Sequence, residues 1–444
     1  MRPIGQLSYT VLFGVLTFGL VAPSSASAEP DAALIEQVDT LVRQLNADAA
    51  TQRDEAEAAL LKHAPIADAE KCDDFLQLLP TPSDGMPAEV RLRLARLRKR
   101  IETEQSSRAL AASKLTLDAE GTPLAEVFDL IREQTGNRLS DYREQFGQTA
   151  ASRKVTIEVT EEEFWPAVDK ILDQAGVTTY PFSGEDTLAI VNRDEGALPR
   201  AEGAAYAGPF RIQAVNVSAR RNLRSASEQS ARVELEIAWE PRLRPIALSQ
   251  SITALQVTTD EGTSLPVASQ RQTLNVEVQP GSHATEFTVP LQLPDRSATK
   301  IASFAGQMSA LVPGRTVDFK FAELDKPKSF TQSRGGVQVT LVGARKNQDL
   351  WEIHMRIKVD SAEAGLESHR GWVFQNLTYL LNPQGELIDH AGFETTMQSQ
   401  NEVGLAYFFE VIGDNLRGYT WVYRSPAAIV RLPVEFELKD IPLP

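Results

Sequence analysis

Cysteine and histidine are scarce in this sequence, whose 444 residues include one cysteine, Cys72, and five histidines. A single cysteine cannot form a disulfide within the chain, so each folded part must be stabilised by burial of apolar side chains. Cys72 stands in a helical region with only Lys71 beside it to favour a thiolate, and we interpret it as a small buried residue. A fold held together by internal disulfides is therefore excluded.

The motifs that mark common catalytic and metal sites are also missing. The sequence contains no G-x-S-x-G, H-E-x-x-H, C-x-x-C or EF-hand pattern, and no G-x-G-x-x-G or G-x-x-x-x-G-K-[ST] loop for phosphate groups. We therefore predict no enzyme activity, no cofactor, and no catalytic, cofactor-binding or metal-binding residues. One alternative stays open, because His369, Asp389 and His390 would suit a two-histidine, one-carboxylate site of a metal-dependent hydrolase.

Basic residues are outnumbered by acidic ones. The chain has 45 Lys and Arg against 60 Asp and Glu, which gives a formal net charge of −15. A protein that binds nucleic acid needs a basic surface that can neutralise phosphates. The composition therefore argues against nucleic acid as a partner.

Long apolar runs are confined to the N terminus. Arg2 precedes an apolar run over residues 9–22, and the small residues Ala26-Ser27-Ala28 follow it. This order is typical of a cleaved signal peptide, here residues 1–28. The run is short for a membrane helix, and no later run approaches the ~20 apolar residues that a spanning helix needs, although an uncleaved anchor stays open. We predict export to the periplasm or the cell surface, without a transmembrane segment after signal cleavage.

Residues 29–108 show the periodicity of helices. One buried helix face is predicted from Leu34, Val38, Leu41 and Leu45. A second helix is expected near residues 51–63, and a third over 87–104 with the apolar stripe Val90, Leu94, Leu97 and Ile101. The stretches LVRQLNADAATQRDEAEAALLKH and AEVRLRLARLRKRIE resemble a HEAT-like helical repeat. Because such repeats bury their faces against neighbours and only about one unit is present, this segment is expected to pack against other parts of the chain or a partner.

The third helix is rich in arginine. Arg93, Arg96 and Arg100 flank one side of its apolar stripe, where long cationic side chains usually cover a solvated helix face. The alternative is that they dock on an acidic surface, either of a partner protein, of this chain or of an anionic envelope polymer. We therefore treat these three arginines as candidate interaction residues.

The sequence pattern of residues 113–193 predicts a small β-α-β-α-β-β module. A strand at 114–117 leads through Gly121, a turn residue, to a helix with Thr122 at the N-cap and Pro123 at its first position. Gly136 is expected to end this helix, and Gly176 to end a second one over about 161–175. The second helix could begin with a capping box between Thr160 and Glu163, or nearer Glu163 because of Pro166.

The module has a family resemblance. The stretches TLDAEGTPLAEVFDLIREQTG, VTIEVTEEEFWPAVDKILDQAGV and TLAIV resemble the short N-terminal domain of secretins and TonB-dependent receptors. That resemblance implies a module that makes protein contacts in the periplasm and holds no catalytic residues. The loop LSDYREQFGQTAAS is longer than is usual in that family. The whole order of helical segment, module and β domains also resembles exported bacterial proteins of unknown function.

The C-terminal half predicts two β-sandwich domains related by duplication. VELEIAW at 233 corresponds to WEIHMRIKV at 351, and HATEFTVPLQL at 283 to NEVGLAYFFEV at 401, both at an offset of 118 residues. SALVPGRTVDFKF at 309 and AAIVRLPVEFELK at 427 share the same offset. About seven short strands in each half suit a sandwich, with bounds at 209–324 and 334–444. The predicted fold class is thus multidomain α+β, comprising a helical hairpin or repeat, the small module and two tandem all-β sandwiches.

The last predicted domain is rich in aromatic residues. In the stretch GWVFQNLTYLL, we select Trp372, Phe374 and Tyr379 as candidate interaction residues, because exposed aromatic rings can stack on sugars or dock a protein. Packing in the core is the other interpretation of these side chains. The sequence thus favours an exported, non-enzymatic interaction or scaffold protein of the cell envelope that binds a protein partner. The alternative is a carbohydrate-binding envelope protein whose ligand is a polysaccharide.

Overall fold

The structure, a computed structural model, describes residues 32–444 except 84, 226–228, 277, 280, 327, 360–369 and 400. The predicted signal peptide lies outside the described residues. The fold is mixed α+β and rich in sheet. Its helices are α1 Ala32–Gln44, α2 Ala50–His63, α3 Ala69–Leu78, α4 Ala88–Ala109, α5 Leu124–Thr135 and α6 Phe164–Ala175. Within the described part of the chain, none of the helices offers an apolar stretch long enough to span a bilayer.

The described residues form two compact units. The first contains residues 32–65 and 70–95, and the second contains residues 66–69 and 96–444. The predicted apolar stripe of α4 is confirmed, since Val90, Leu94, Leu97 and Ile101 are all buried. Cys72 is buried as well, as predicted. Helix α3 was not separately predicted, because its ten residues lie between a charged stretch and a proline-rich break.

The small module is built from two βα units and three further strands. Its strands are β1 Lys114–Pro123, β2 Leu139–Asp141, β3 Lys154–Glu163, β4 Val177–Tyr180 and β5 Leu188–Asn192. β1 pairs antiparallel with β3, while β5 lies between β2 and β4 in a second sheet. The short strand β2 was not predicted. It falls in the long loop of the module and pairs in parallel with β5.

The predicted helix start at Thr122 is wrong. β1 continues to Pro123, and α5 begins at Leu124 without a side-chain cap. The reason is pairing across the sheet, because Pro123 lies opposite Lys154 and the Leu124 N–H donates to the Arg153 carbonyl. Pairing between strands thus fixes the helix start in place of a threonine cap.

The predicted helix ends of the module are confirmed, and so is one of the two predicted starts of its second helix. Gly136 and Gly176 end their helices in the left-handed conformation, as predicted. Of the two starts considered for the second helix, the later one is correct, since α6 begins at Phe164 with Glu163 at the N-cap and no side-chain capping bond. Gly121 has a φ of +60°, at a bulge in the β1–β3 ladder.

The two βα units share one arrangement. The Gln134 side chain makes two hydrogen bonds to the backbone of Thr116, and Gln174 makes the same two to Thr156, each residue lying 40 positions after its counterpart. Each unit also has a residue with positive φ three positions before its helix, Gly121 in one and Glu161 in the other. These hydrogen bonds hold each helix against its own strand.

The remaining strands form a four-stranded and an eleven-stranded sheet. They are β6 Ala204–Ala207, β7 Phe210–Arg221, β8 Gln229–Trp239, β9 Ala247–Ser251, β10 Gln256–Thr259, β11 Thr273–Val276, β12 Ala284–Leu291, β13 Lys300–Phe321, β14 Phe330–Arg334, β15 Val337–Asn347, β16 Leu350–Val359, β17 Thr378–Leu381, β18 Leu387–Gln398, β19 Glu402–Glu410 and β20 Thr420–Pro442. The four-stranded sheet has the order β12-β8-β7-β6. This part of the chain is β-sandwich-like.

Two long strands, β13 and β20, connect two apolar cores. They pair antiparallel along almost their whole length, from Lys300 opposite Pro442 to Phe321 opposite Trp421. The first core contains side chains from the start of β13 and the end of β20, and the second core contains side chains from the opposite halves of both strands. We call β6–β12 with the adjoining halves of β13 and β20 the first β region, and β14–β19 with the other halves the second β region.

Because the two β regions share β13 and β20, the first core includes residues of the predicted second sandwich. Val434, Phe436 and Leu438 belong to the first core although they lie beyond residue 334. The predicted bounds 29–108, 113–193, 209–324 and 334–444 stay predictions, as does the tandem duplication. The two β regions are connected by continuous strand pairing, so we describe them together below.

Candidate binding cleft

The module is joined to the first β region by a buried carboxylate, that of Asp169 on α6. This carboxylate accepts hydrogen bonds from Arg200 Nε at 2.9 Å, from Arg211 Nε at 2.5 Å and from the Tyr206 hydroxyl at 2.9 Å. Asp169 and Arg211 are completely buried. Burial lowers the pKa of Arg200 and raises that of Tyr206. Buried charges persist in proteins when they are paired and hydrogen-bonded, so this network holds α6 against the β region.

A second buried carboxylate, Glu240, holds the start of the module. It accepts hydrogen bonds from the Ser113 N–H at 2.8 Å, from Ser113 Oγ at 2.5 Å, from Asn137 Nδ2 at 3.0 Å and from Arg242 Nε at 2.7 Å. The Trp165 indole adds a third link by donating to the Pro209 carbonyl at 3.0 Å. These contacts come from three different segments of the module, and together they fix its orientation on the first β region.

A cleft of about 1100 Å³ lies where the end of α4 meets the two β regions. Its walls come from the end of α4, the loop after β8, β11 and the turn that follows it, the middle of β13, the short 3-10 helix Arg370–Gln375 and β20. All of these elements belong to the second compact unit. The shared strands β13 and β20 therefore bring residues from both β regions to one cleft.

Among the described residues, the charged side chains on the cleft wall are arginines, namely Arg242, Arg244, Arg315 and Arg424. Each pairs with a carboxylate outside the described cleft lining: Glu240 lies 2.7 Å from Arg242, Asp186 lies 2.5 Å from Arg244, Glu102 lies 3.9 Å from Arg315, and Asp318 lies 2.6 Å from Arg424. These partners offset much of the positive charge. The described part of the wall thus offers arginine N–H donors and no carboxylate.

Two tryptophans also contribute to the cleft wall. Trp239 is completely buried, and Trp372 is half-buried. Neither indole N–H has an acceptor among the described residues. An unpaired buried donor costs about 1–3 kcal/mol, so both side chains are held in place at an energetic cost. The amide side chains of Asn275, Gln279 and Gln375 supply further donors and acceptors.

The class of ligand that the cleft could bind can be inferred from the side chains of its wall. No protein family model, curated protein or solved structure matches this chain. Arginine and amide donors suit a ligand with many acceptors, such as an extended peptide main chain or a sugar with several oxygen atoms. The apolar residues between them, including Leu243 and Leu377, suit the carbon skeleton of either ligand.

The predicted aromatic residues occupy different places. Trp372 lines the cleft, together with other residues of GWVFQNLTYLL such as Gln375. Phe374 instead stacks on Phe393, with ring centroids 6.0 Å apart and planes at 7°. Tyr379 lies in β17, between Asp389 on β18 and Val422 on β20. One of the three candidate aromatics is therefore part of the cleft.

The predicted arginines of α4 lie outside the cleft wall. Arg93 joins α2 to α4 within the first unit, where it contacts Glu89 at 2.6 Å and both Asp54 and Glu57 at 2.8 Å. The hydrogen bond that Arg93 donates to Glu89 is the main reason that the pKa of Arg93 is raised. Its guanidinium therefore already has three carboxylate partners.

The other two predicted arginines, Arg96 and Arg100, are exposed. Arg100 pairs with Glu104 one turn further along the helix, at 2.9 Å. Pairs of this kind on an exposed helix face contribute little to stability, so both side chains are accessible to a partner. They stay candidate interaction residues.

The structure describes only two of the three residues of the metal-site alternative, Asp389 and His390. His369 lies outside the described residues. His390 packs edge-to-face on Tyr407, with ring centroids 5.2 Å apart, and Asp389 is exposed. Within the described ranges, no group of three His, Cys, Asp or Glu side chains is placed to hold a metal ion.

Sequence reasoning missed most of the cleft wall. Arg242 and Arg244 stand in the stretch WEPRLRP, where two arginines come shortly after the tryptophan that ends a predicted strand. This clustering could have indicated a binding surface. Arg315 and Arg424 carry no such pattern. They reach the cleft only because β13 and β20 pair along their whole length.

Proposed function

We propose that the protein is an exported, non-enzymatic interaction protein of the cell envelope that binds a partner protein in the cleft. The observation that supports the proposal is that the described residues of the cleft wall, from both β regions, carry arginine and amide donors and no carboxylate. A peptide main chain presents one carbonyl acceptor per residue, and such a wall can bind it in extended form.

The rigid junction beside the cleft supports this proposal. Glu240 anchors the module through Ser113 and Asn137, and its partner Arg242 lines the cleft. Arg242 also donates to the carbonyls of Ala109 and Ala111 at the end of α4. A cleft whose wall is already ordered loses little conformational entropy when a partner binds.

The test is photo-cross-linking in cells with a tagged full-length chain. A photoreactive amino acid replaces Gln375, an exposed residue of the cleft wall, or in a matched control Leu223, which is 94% exposed and follows β7 at the end of the β7–β8 pair opposite to Trp239. The proposal predicts that one envelope protein dominates the cross-links from position 375. Identical products from both positions, or recovery of the bare chain alone, would contradict it.

A second candidate function is carbohydrate binding at the second β region. The observation that favours it is the nearly parallel pair of Phe374 and Phe393, the latter 38% exposed, which offers a flat aromatic face of the kind that sugar rings stack on. It predicts that the protein is retained on insoluble envelope polysaccharide. Phe393→Ala and Trp372→Ala should abolish retention, whereas Leu223→Ala should not.

A further inference from the structure

Three exposed aromatic rings lie together on the small module. Phe146, Tyr180 and Phe182 are 47%, 37% and 38% exposed. Phe146 comes from the loop between β2 and β3, whereas Tyr180 ends β4 and Phe182 follows two residues later. The centroids of Phe146 and Tyr180 are 5.0 Å apart, and those of Tyr180 and Phe182 are 6.2 Å apart. We call these three residues the aromatic ridge.

The rings of the aromatic ridge are almost perpendicular to one another. The planes of Phe146 and Tyr180 meet at 64°, and those of Tyr180 and Phe182 at 82°. Such edge-to-face packing exposes ring edges at an angle to one another, in contrast to the flat face that a sugar ring needs. Exposed aromatic residues are the surface on which proline-rich segments dock in the polyproline II conformation.

The backbone that carries the ridge is held in place. The His283 N–H donates to the Pro181 carbonyl at 2.8 Å, and His283 Nε2 lies 3.1 Å from the Glu185 carbonyl oxygen. His283 belongs to the first β region and is completely buried. Burial lowers its pKa, which keeps the ring neutral. Contacts with His283 of the first β region thus hold the turn between β4 and β5 in place. A preformed surface of this kind binds a ligand at a low entropic cost.

Most of the charged residues next to the ridge are acidic, although Arg244 pairs with Asp186 of the same turn at 2.5 Å. In the segments 141–148 and 180–187 that carry the rings, the only basic residue is Arg143, which is buried and paired with Asp141 at 2.6 Å. Glu144 and Glu185 are exposed. Complementary charge favours a basic partner and disfavours an acidic one.

We propose that the aromatic ridge is a docking surface for an extended proline-rich segment of a partner protein that carries Lys or Arg between its prolines. This inference rests on the proposed function, because it names the kind of partner and a second place at which the partner binds. The segment lies across the exposed edges of the three rings. Glu144 and Glu185 interact with its cationic side chains.

Fluorescence anisotropy with the full chain tests the proposal. The probe is a labelled twelve-residue peptide with proline at every third position and lysines between, and its control has glutamates in place of the lysines. We expect the lysine peptide to bind at least about tenfold more tightly than the glutamate peptide, and Phe182→Ala to weaken binding by about tenfold or more. Leu223→Ala, which removes an exposed apolar side chain elsewhere, should change the affinity less than about twofold.

Three results would overturn the proposal. These are equal binding of the two peptides, absence of binding by either, and an unchanged affinity in both Phe146→Ala and Phe182→Ala proteins whose thermal midpoints match the unmodified chain. The cross-linking experiment distinguishes this failure from that of the proposed function. If position 375 still captures its partner from cells while the peptide assay gives one of these three results, the cleft proposal stands and the ridge proposal fails.

Discussion

Gly306 on β13 lies directly opposite Phe436 on β20, and the phenyl ring covers the position that a side chain would occupy. A Cβ atom placed on Gly306 would lie 2.6 Å from Phe436 Cζ, closer than two carbon atoms can approach. An aromatic ring that covers a cross-strand glycine is a known way to stabilise that pairing. The contact thus connects the middle of the chain to its last strand within the first core.

We expect Gly306→Ala to lower the free energy of unfolding by about 1–3 kcal/mol, because the ring must move out of a packed core. The matched control is Gly343→Ala on β15, where no atom lies within 4 Å of the new Cβ, and its effect should stay within about 0.5 kcal/mol. Chemical denaturation measures both. Adding Phe436→Leu should recover part of the loss, since the two residues are in contact. Equal losses at positions 306 and 343 would show that the ring does not restrict position 306.

The buried carboxylate at the module junction gives a larger predicted effect. Asp169→Asn leaves Arg200 and Arg211 buried without a charged partner on α6, and removal of one member of a buried ion pair costs about 3–5 kcal/mol. The control is Asp129→Asn, which breaks an exposed pair with Arg132 at 3.0 Å and should cost no more than about 1 kcal/mol. Urea titration of both proteins checks the difference. A similar small loss in each would mean that the buried network does not hold the module.

Glu161 occupies a backbone conformation that glycine adopts more easily. Its φ is +53°, at the position that Gly121 occupies in the first βα unit. Because the left-handed conformation costs a side-chain residue about 1 kcal/mol, Glu161→Gly should stabilise the protein slightly or leave it unchanged. Glu158→Gly, in the same strand and also exposed, should destabilise it by about 0.5–1 kcal/mol. Thermal unfolding of both variants would reveal the opposite signs, and a destabilised Glu161→Gly protein would argue against strain at this residue.

The hydrogen bonds of the Glu352 carboxylate predict that the stability of the protein depends on pH. Its carboxylate accepts hydrogen bonds from Asn347 at 2.6 Å, Arg345 at 2.5 Å and His354 at 2.9 Å, and these lower its pKa to about 2. Because the folded-state pKa lies below the ordinary value of 4.5, the stabilisation is complete above that value and is lost as the pH falls towards 2. Glu352→Gln should therefore be less stable than the unmodified protein at neutral pH, and this difference should shrink below pH 4.5.

Denaturant titrations between neutral and acidic pH measure this difference. Asn347→Ala provides the second variant, because it removes the hydrogen bond that lowers the pKa of Glu352 most and should therefore raise that pKa. A difference between Glu352→Gln and the unmodified protein that stays constant down to pH 2 would contradict the prediction.

Local features of the fold were predictable from the sequence because they depend on neighbouring residues. The stripe that includes Leu94 and Ile101 follows helical periodicity, and Gly136 and Gly176 end their helices because glycine adopts positive φ. The N-cap at Thr122 was wrong for a non-local reason. Its strand continues because β3 pairs with it, and a pattern within one segment cannot report the length of a distant partner.

The cleft required information that no single segment contains. Trp372 was selected for its aromatic character, and this part of the cleft wall could be anticipated. Arg315 and Arg424 lie more than a hundred residues apart in sequence, and neither stands in a recognisable motif. Their proximity follows from the register of β13 against β20, in which Arg315 lies opposite Ala427. Register over twenty residues depends on the packing of both cores and is not apparent from strand propensity.

The pairing of β13 with β20 also constrains the order in which this chain can fold during synthesis. The first core draws Val434, Phe436 and Ile441 from a strand that emerges long after β8 and β12 have been made. Until then, the apolar face of the first β region lacks its covering strand. A domain that needs so distant a segment cannot fold as an independent unit as it leaves the ribosome. The growing chain must therefore be protected from aggregation until almost all of it has been synthesised.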